Sequence, residues 1–207
     1  MIEAEQPDDV RVAFRAAATE WRFVLPKGWW SVPLDDPARI DERVRTIVVE
    51  RLGRRDDRAR ARRDARENLA AAAHEAAAHD GVSLTVFGME IAGIALTGTM
   101  AVFAHGAAGD GEELLPHLAA AATGADVDQQ RLPDGWVLRA VRASAIERTG
   151  ADGNPLLPEL RADYWTEREG LGQVLQISFT TPFVPLRAAM VELFDAVVLS
   201  LHPVVTA

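Results

Sequence analysis

Cysteine is absent from this 207-residue chain. That excludes disulfides, thiolate zinc sites, cysteine-ligated iron–sulfur clusters and a cysteine nucleophile together. Lysine is nearly absent: Lys27 stands alone among 22 basic residues, and the other 21 are arginine. Positive charge is also in deficit, because 31 acidic residues leave the chain at -9. A chain-wide affinity for nucleic acid or for an anionic membrane surface is therefore disfavoured, and any basic site has to be local. No apolar run approaches the roughly 20 residues of a membrane span. Even Gly93 to Ala104 is broken by Thr97, Gly98 and Thr99. The first nine residues are acidic, with Glu3, Glu5, Asp8 and Asp9, where a secretory leader needs positive charge followed by an apolar stretch. The expectation is a cytoplasmic protein with no membrane association.

What is present reads as one folded unit. A hydrophobic fraction of 48% with 26% charged residues is that of a globular chain. At roughly 150 residues per domain, the length predicts a single domain over 1–207, with 1–20 left unassigned. Trp21, Phe23 and Leu25 alternate with Arg22 and Val24, and Trp30, Val32 and Leu34 with Trp29, Ser31 and Pro33, predicting two strands joined by Pro26-Lys27-Gly28. Pro33 places the second of them at a sheet edge, since proline cannot donate to a ladder. Asp36-Pro37 opens a helix, because the carboxylate caps free N–H groups and proline fits the first turn. Ile40, Val44, Ile47, Val48 and Leu52 continue it to Gly53. A second helix is predicted from Asp57 to His79 on the small-residue stripe Ala61, Ala65, Leu69, Ala72 and Ala76.

Beyond Gly81 the period changes to strands, at Val82 to Met89 and Ile94 to Phe103, then at Trp136 to Glu147, Leu160 to Arg168 and Leu171 to Thr180. A short helix is expected over Glu112 to Thr123. Apolar residues on both faces of the first pair predict a sheet covered on both sides. Leu186, Ala189, Met190, Leu193, Phe194, Val197, Val198 and Leu201 form the longest apolar stripe, a C-terminal helix. The fold class is thus α+β, a mainly antiparallel sheet covered by helices on both faces (an α/β/α sandwich), with a long C-terminal helix.

That order of elements, with Phe23-Val24-Leu25-Pro26-Lys27-Gly28-Trp29 in a leading hairpin and Leu175-Gln176-Ile177-Ser178-Phe179-Thr180-Thr181-Pro182 before the terminal helix, resembles the PsbP-like α/β/α sandwich. This family includes actinobacterial LpqN-type proteins. The resemblance implies a binding scaffold without a shared catalytic centre, and it brings no functional residues to particular positions. The chain departs from the lipoprotein members in having neither a leader of the usual kind nor a lipid-attachment cysteine.

Chemical signatures are few. His74 and His79 lie five apart on one helix and point about 140° away from each other, so they cannot clasp one ion. No Gly-x-Ser-x-Gly elbow occurs. The glycine-rich segment His105 to Glu113 carries Asp110, Glu112 and Glu113 where a phosphate would sit, which predicts a self-capped turn. Asp163, Trp165 and Glu167 share one strand face, and a solvated edge with cross-strand ion pairs is expected there in preference to an acid/base pair. No catalytic residue, cofactor or metal is therefore assigned.

The one local anomaly is Arg51 to Glu67, where eight arginines against four carboxylates give +4 and leave -13 for the rest. Arg58, Arg62 and Arg66 fall along one helix face and Arg55 extends the row. Such a row suits an acidic protein partner. Nucleic acid is disfavoured, because the remaining charge repels a duplex and no aromatic platform interleaves the arginines. Trp29, turned away from the face of Trp30, is a second candidate anchor for a partner if that face is open, and simply core if a helix covers it. The expected function is a non-enzymatic interaction module, an adaptor or chaperone-like protein, with its oligomeric state left open. The alternative is a small-molecule-binding protein or enzyme whose pocket lies between sheet and helix, near Trp136 to Leu138 and Tyr164 to Trp165.

Overall fold

A computed structural model describes residues 10–16, 19–91, 93–106, 111–144, 148–149, 155–156 and 158–204. Of the expected turn from His105 to Glu113, residues 107–110 lie outside the described residues. The elements run β1 (Val10–Ala16), β2 (Thr19–Leu25), β3 (Trp29–Pro33), α1 (Pro37–Leu52), α2 (Ala59–Ala78), β4 (Gly81–Ile91) and β5 (Ile94–Gly106). There follow α3 (Leu115–Ala121), β6 (Asp126–Leu132), β7 (Gly135–Ser144), the two-residue strands β8 (Arg148–Thr149) and β9 (Pro155–Leu156), β10 (Glu159–Arg168), β11 (Gln173–Thr181), α4 (Arg187–Leu199) and β12 (His202–Pro203). The fold is α+β around a seven-stranded antiparallel sheet in the order β3-β4-β5-β11-β10-β7-β6. Pro33 is on its edge strand, as the missing N–H requires.

The expected leading hairpin does not form. β2 pairs with β1 on one side and β12 on the other in a separate three-stranded sheet, while β3 joins the large one. The Pro26-Lys27-Gly28 turn carries the chain from one sheet to the other. Gly28 has φ +90°, its carbonyl accepts from the Gly88 N–H at 2.9 Å, and a Cβ there would lie 2.7 Å from the Gly88 oxygen. Only glycine fits that close crossing. β1 comes from the lead-in segment that the sequence reading left unassigned.

α1 starts as its sequence dictates: Asp36 Oδ1 accepts from the Ala38 N–H at 2.8 Å, with Pro37 in the first turn and Gly53 at the end. It buries Ile40, Val44, Ile47 and Val48 against Val32 and Leu84. α2 buries only Ala73; Ala65, Leu69, Ala70, Ala76 and Ala77 pack part-buried on the same cluster, while Ala61 and Ala72 of the expected stripe are exposed. α4 spans 13 residues, fewer than α1 or α2, and ends at Leu199 instead of Leu201. It buries Met190, Phe194, Val197 and Val198 in the larger cluster with Trp21, Phe23, Leu25, Phe87 and Phe179. Phe194 stacks on Phe179 at 4.2 Å and meets the edge of Phe87 at 6.2 Å. No helix among the described residues is long and apolar enough to cross a membrane.

Candidate functional site on the α1–α2 face

The short connection between α1 and α2 sets the two helices side by side, and their facing surfaces hold a cleft of about 240 Å³. Its floor is Val48, Val49 and Ala59; its walls are Arg45 from α1 and Arg62, Arg63 and Arg66 from α2. No carboxylate lines it. Arg45, Arg63 and Arg66 are exposed, and none forms an ion pair with a carboxylate among the described residues.

The predicted row divides within this geometry. Arg62 and Arg66 line the cleft, whereas Arg55 and Arg58 do not. Arg62 has a structural task as well: its Nη1 donates to the Gly53 carbonyl at 3.1 Å and to the Arg55 carbonyl, closing the α1–α2 connection. Arg55 lies 3.6 Å from Asp57, and Arg58 sits exposed where α2 begins. Arg60 pairs weakly with Asp64 at 3.9 Å on the opposite side of the helix. Arg45 and Arg63 are the cleft residues that the row omitted. Arg63 follows Arg62 directly, and Arg45 is visible only once the two helices are known to pack as neighbours.

Trp29 is not an exposed anchor. It does point away from the Trp30 face, but that side of the strand is covered too: Trp29 is 1% exposed, stacks on Phe87 at 4.6 Å and meets Phe179 edge-on at 6.4 Å. The local alternation was right, and because the second face is covered as well, Trp29 belongs to the core and anchors no partner.

The aromatic strands hold their polar groups in internal networks. Asp163 is 3% exposed on a strand flanked by β7 and β11, so it lies inside the sheet and not at an edge. It accepts from Ser178 Oγ at 2.6 Å and pairs with Arg161 Nε at 2.9 Å, and this hydrogen bond raises the Arg161 pKa above its ordinary value. Glu167 accepts from Trp136 Nε1 at 3.1 Å. Tyr164 donates its hydroxyl to Asp195 Oδ1 at 2.8 Å, and Arg139 binds the other oxygen of the same carboxylate. Burial, then the charge and hydrogen bond of Asp195, push the Tyr164 phenol far above its usual pKa. Only a gap of about 110 Å³ remains beside this trio. A wider, open cleft of about 530 Å³ lies at the turns, with Trp136, Glu167 and Arg168 on its wall. Arg168 is held there by both Asp134 oxygens, at 2.9 and 3.2 Å. Both carboxylates of the supposed acid/base pair are thus already committed to neighbours.

No known family matches this sequence, and no curated protein matches it either. The assignment of a function therefore rests on the site geometry.

Proposed function

We propose that the chain is a non-enzymatic interaction module that receives an acidic segment of a protein partner in the α1–α2 cleft. The observation that carries this reading is the convergence of Arg45, Arg62, Arg63 and Arg66 on a cleft without a carboxylate, in a chain of net charge -9. A cluster of four like charges is self-repelling unless something anionic offsets it, and paired guanidinium–carboxylate contacts are the stronger class of hydrogen bond. A folded protein segment fits better than a nucleic acid, because the acidic remainder of the chain repels a long polyanion and the cleft walls carry no aromatic side chain to stack bases. The non-enzymatic reading is supported by the pairing of Asp163 with Ser178 and Arg161 and of Asp195 with Tyr164 and Arg139, which commits these carboxylates to structural contacts.

The α/β/α arrangement belongs to the same proposal. It is supported by β4, where Leu84 joins the α1–α2 cluster and Phe87 joins the α4 cluster. The PsbP-like relationship rests on the order of the later elements, since the leading strands pair differently from the hairpin that suggested it.

The test uses a fluorescent oligoglutamate peptide and anisotropy. The full chain binds it, and the R63E/R66E double variant, which spares the structural Arg62, loses at least about tenfold in affinity. Unchanged binding by that variant removes the cleft from the account. Tighter binding of a single-stranded oligonucleotide of equal charge than of the peptide reverses the choice of partner.

A further inference from the structure

The side of the α1–α2 pair that faces the sheet holds a second and different space, open to solvent along Asn68, Ala72 and Thr97. This cavity of about 390 Å³ lies between the two helices and strands β4 and β5. Its lining is chiefly apolar, with Ile47, Val48, Leu52, Leu69 and Val86 prominent. The volume falls in the range of small-molecule pockets, roughly 300–1,000 Å³. Ala72 lines it as well, which explains why this residue of the expected α2 stripe is left exposed: it faces the cavity and not a packed neighbour.

One charged side chain lines the cavity, Arg51 from the last turn of α1. Its guanidinium lies 5.2 Å from the centre of the Trp30 ring. It also rests against the sheet at Gly88, where a Cβ would come within 2.1 Å of Nη2, so the missing side chain makes the seat the guanidinium occupies. Gly88 pairs across the ladder with Thr97, another lining residue, which ties the seat to the cavity wall. Among the described residues no carboxylate pairs with Arg51, and nearby protein removes enough water to lower its pKa. A guanidinium held by an aromatic face, partly stripped of water and lacking a counter-anion favours an anion from outside.

We propose that this cavity binds an amphipathic monocarboxylate, its alkyl part against Val48, Leu69 and Val86 and its carboxylate on the Arg51 guanidinium. Asn68, Thr97 and Thr99 add the few polar groups that fix orientation in such pockets. The site is separate from the arginine cleft, which lies between the helices and shares only Val48 with it. Its test does not depend on the acidic-partner reading.

The experiment is calorimetric titration of the full chain at neutral pH with sodium decanoate, kept below micelle formation, and with acetate and decyltrimethylammonium as comparisons. Decanoate is expected to bind with one-to-one stoichiometry, acetate and the cationic decyl compound at least about tenfold more weakly. R51M is expected to weaken decanoate binding by about tenfold or more, while A65L, which puts a larger apolar side chain into the lining and keeps the arginine, weakens it separately. Circular dichroism melts show whether each variant folds, and A65L decides the matter should R51M fail to. The proposal is overturned if decanoate does not bind, if folded R51M binds it as tightly as the original chain, if folded A65L does so, or if acetate binds equally well.

Discussion

Tyr164 is the single tyrosine of the chain, which makes its ionisation readable without interference. Its hydroxyl is buried and donates to Asp195, so the folded protein holds the phenolic proton where an unfolded chain releases it, near pH 10. A folded-state pKa raised in this way contributes stability in full below about pH 10 and loses it as pH climbs further, by up to about 1.4 kcal/mol per pH unit. The 295 nm phenolate absorbance should therefore appear only with unfolding, which fluorescence of the tryptophans reports independently. A phenolate step near pH 10 with the fold intact would contradict the buried hydrogen bond. Y164F should cost about 1 kcal/mol at neutral pH in urea unfolding, and the gap to the original chain should narrow above pH 10. At this same scale Trp29 marks a limit of sequence reading: its orientation follows from alternation, but whether it meets solvent depends on Phe87 and Phe179, which arrive from strands much further along the chain.

The elements differ in how firmly they are fixed, and their legibility follows the same physics. α1 was readable because its start, stripe and stop all lie in the local sequence, from Asp36 to Gly53. β6 was not, since six of its seven positions are exposed and its sequence DVDQQRL has no apolar alternation to detect. That edge strand exists because Pro133 and Asp134 turn the chain back onto β7, a cross-strand cause invisible to periodicity. The hairpin between β2 and β3 failed for a similar reason: neighbours in sequence looked like partners, while Val10, Val12 and Phe14 of β1 offered an alternation that was there to be read. Burial also ranks the helices. α4 fixes Phe194 between Phe179 and Phe87, so F194A should lower stability by about 3–5 kcal/mol in chemical denaturation, whereas a loss under 1 kcal/mol would mean the ring stack is not formed. α2 buries a single residue over 20, and its amides should exchange with deuterium well before those of β10 and β11. Equal protection of α2 and the central strands would show that its part-buried contacts, from Ala65 to Ala77, hold the helix as firmly as full burial holds the strands.

At the scale of the whole molecule, charge is the organising quantity. The segment from Arg51 to Glu67 was recognisable from composition alone, and spacing singled out Arg55, Arg58, Arg62 and Arg66, of which only Arg62 and Arg66 line the cleft beside Arg63 and, from another helix, Arg45. Composition thus locates a charge anomaly, and only packing shows which of its arginines share a cleft. The same anomaly has opposite consequences for folding and for binding. A net charge of -9 is self-repelling, and the surface pairs that oppose it, such as Arg39–Asp35 and Arg60–Asp64, are between exposed side chains and contribute little. Going from about 0.01 M to 0.15 M salt shortens the screening length from about 30 Å to about 8 Å, which relieves repulsion spread over the molecule more than it weakens close contacts. The melting temperature should then rise by about 1–2 °C. Binding of an acidic peptide to the arginine cleft draws on the opposite effect, attraction between unlike charges, and should weaken over the same range. Calorimetric melts and peptide anisotropy along one salt series read both. A melting temperature that falls together with affinity would mean that attractive surface pairs, and not the net acidic charge, dominate the electrostatics of the fold; an affinity that holds constant would mean the arginines are not what the peptide meets.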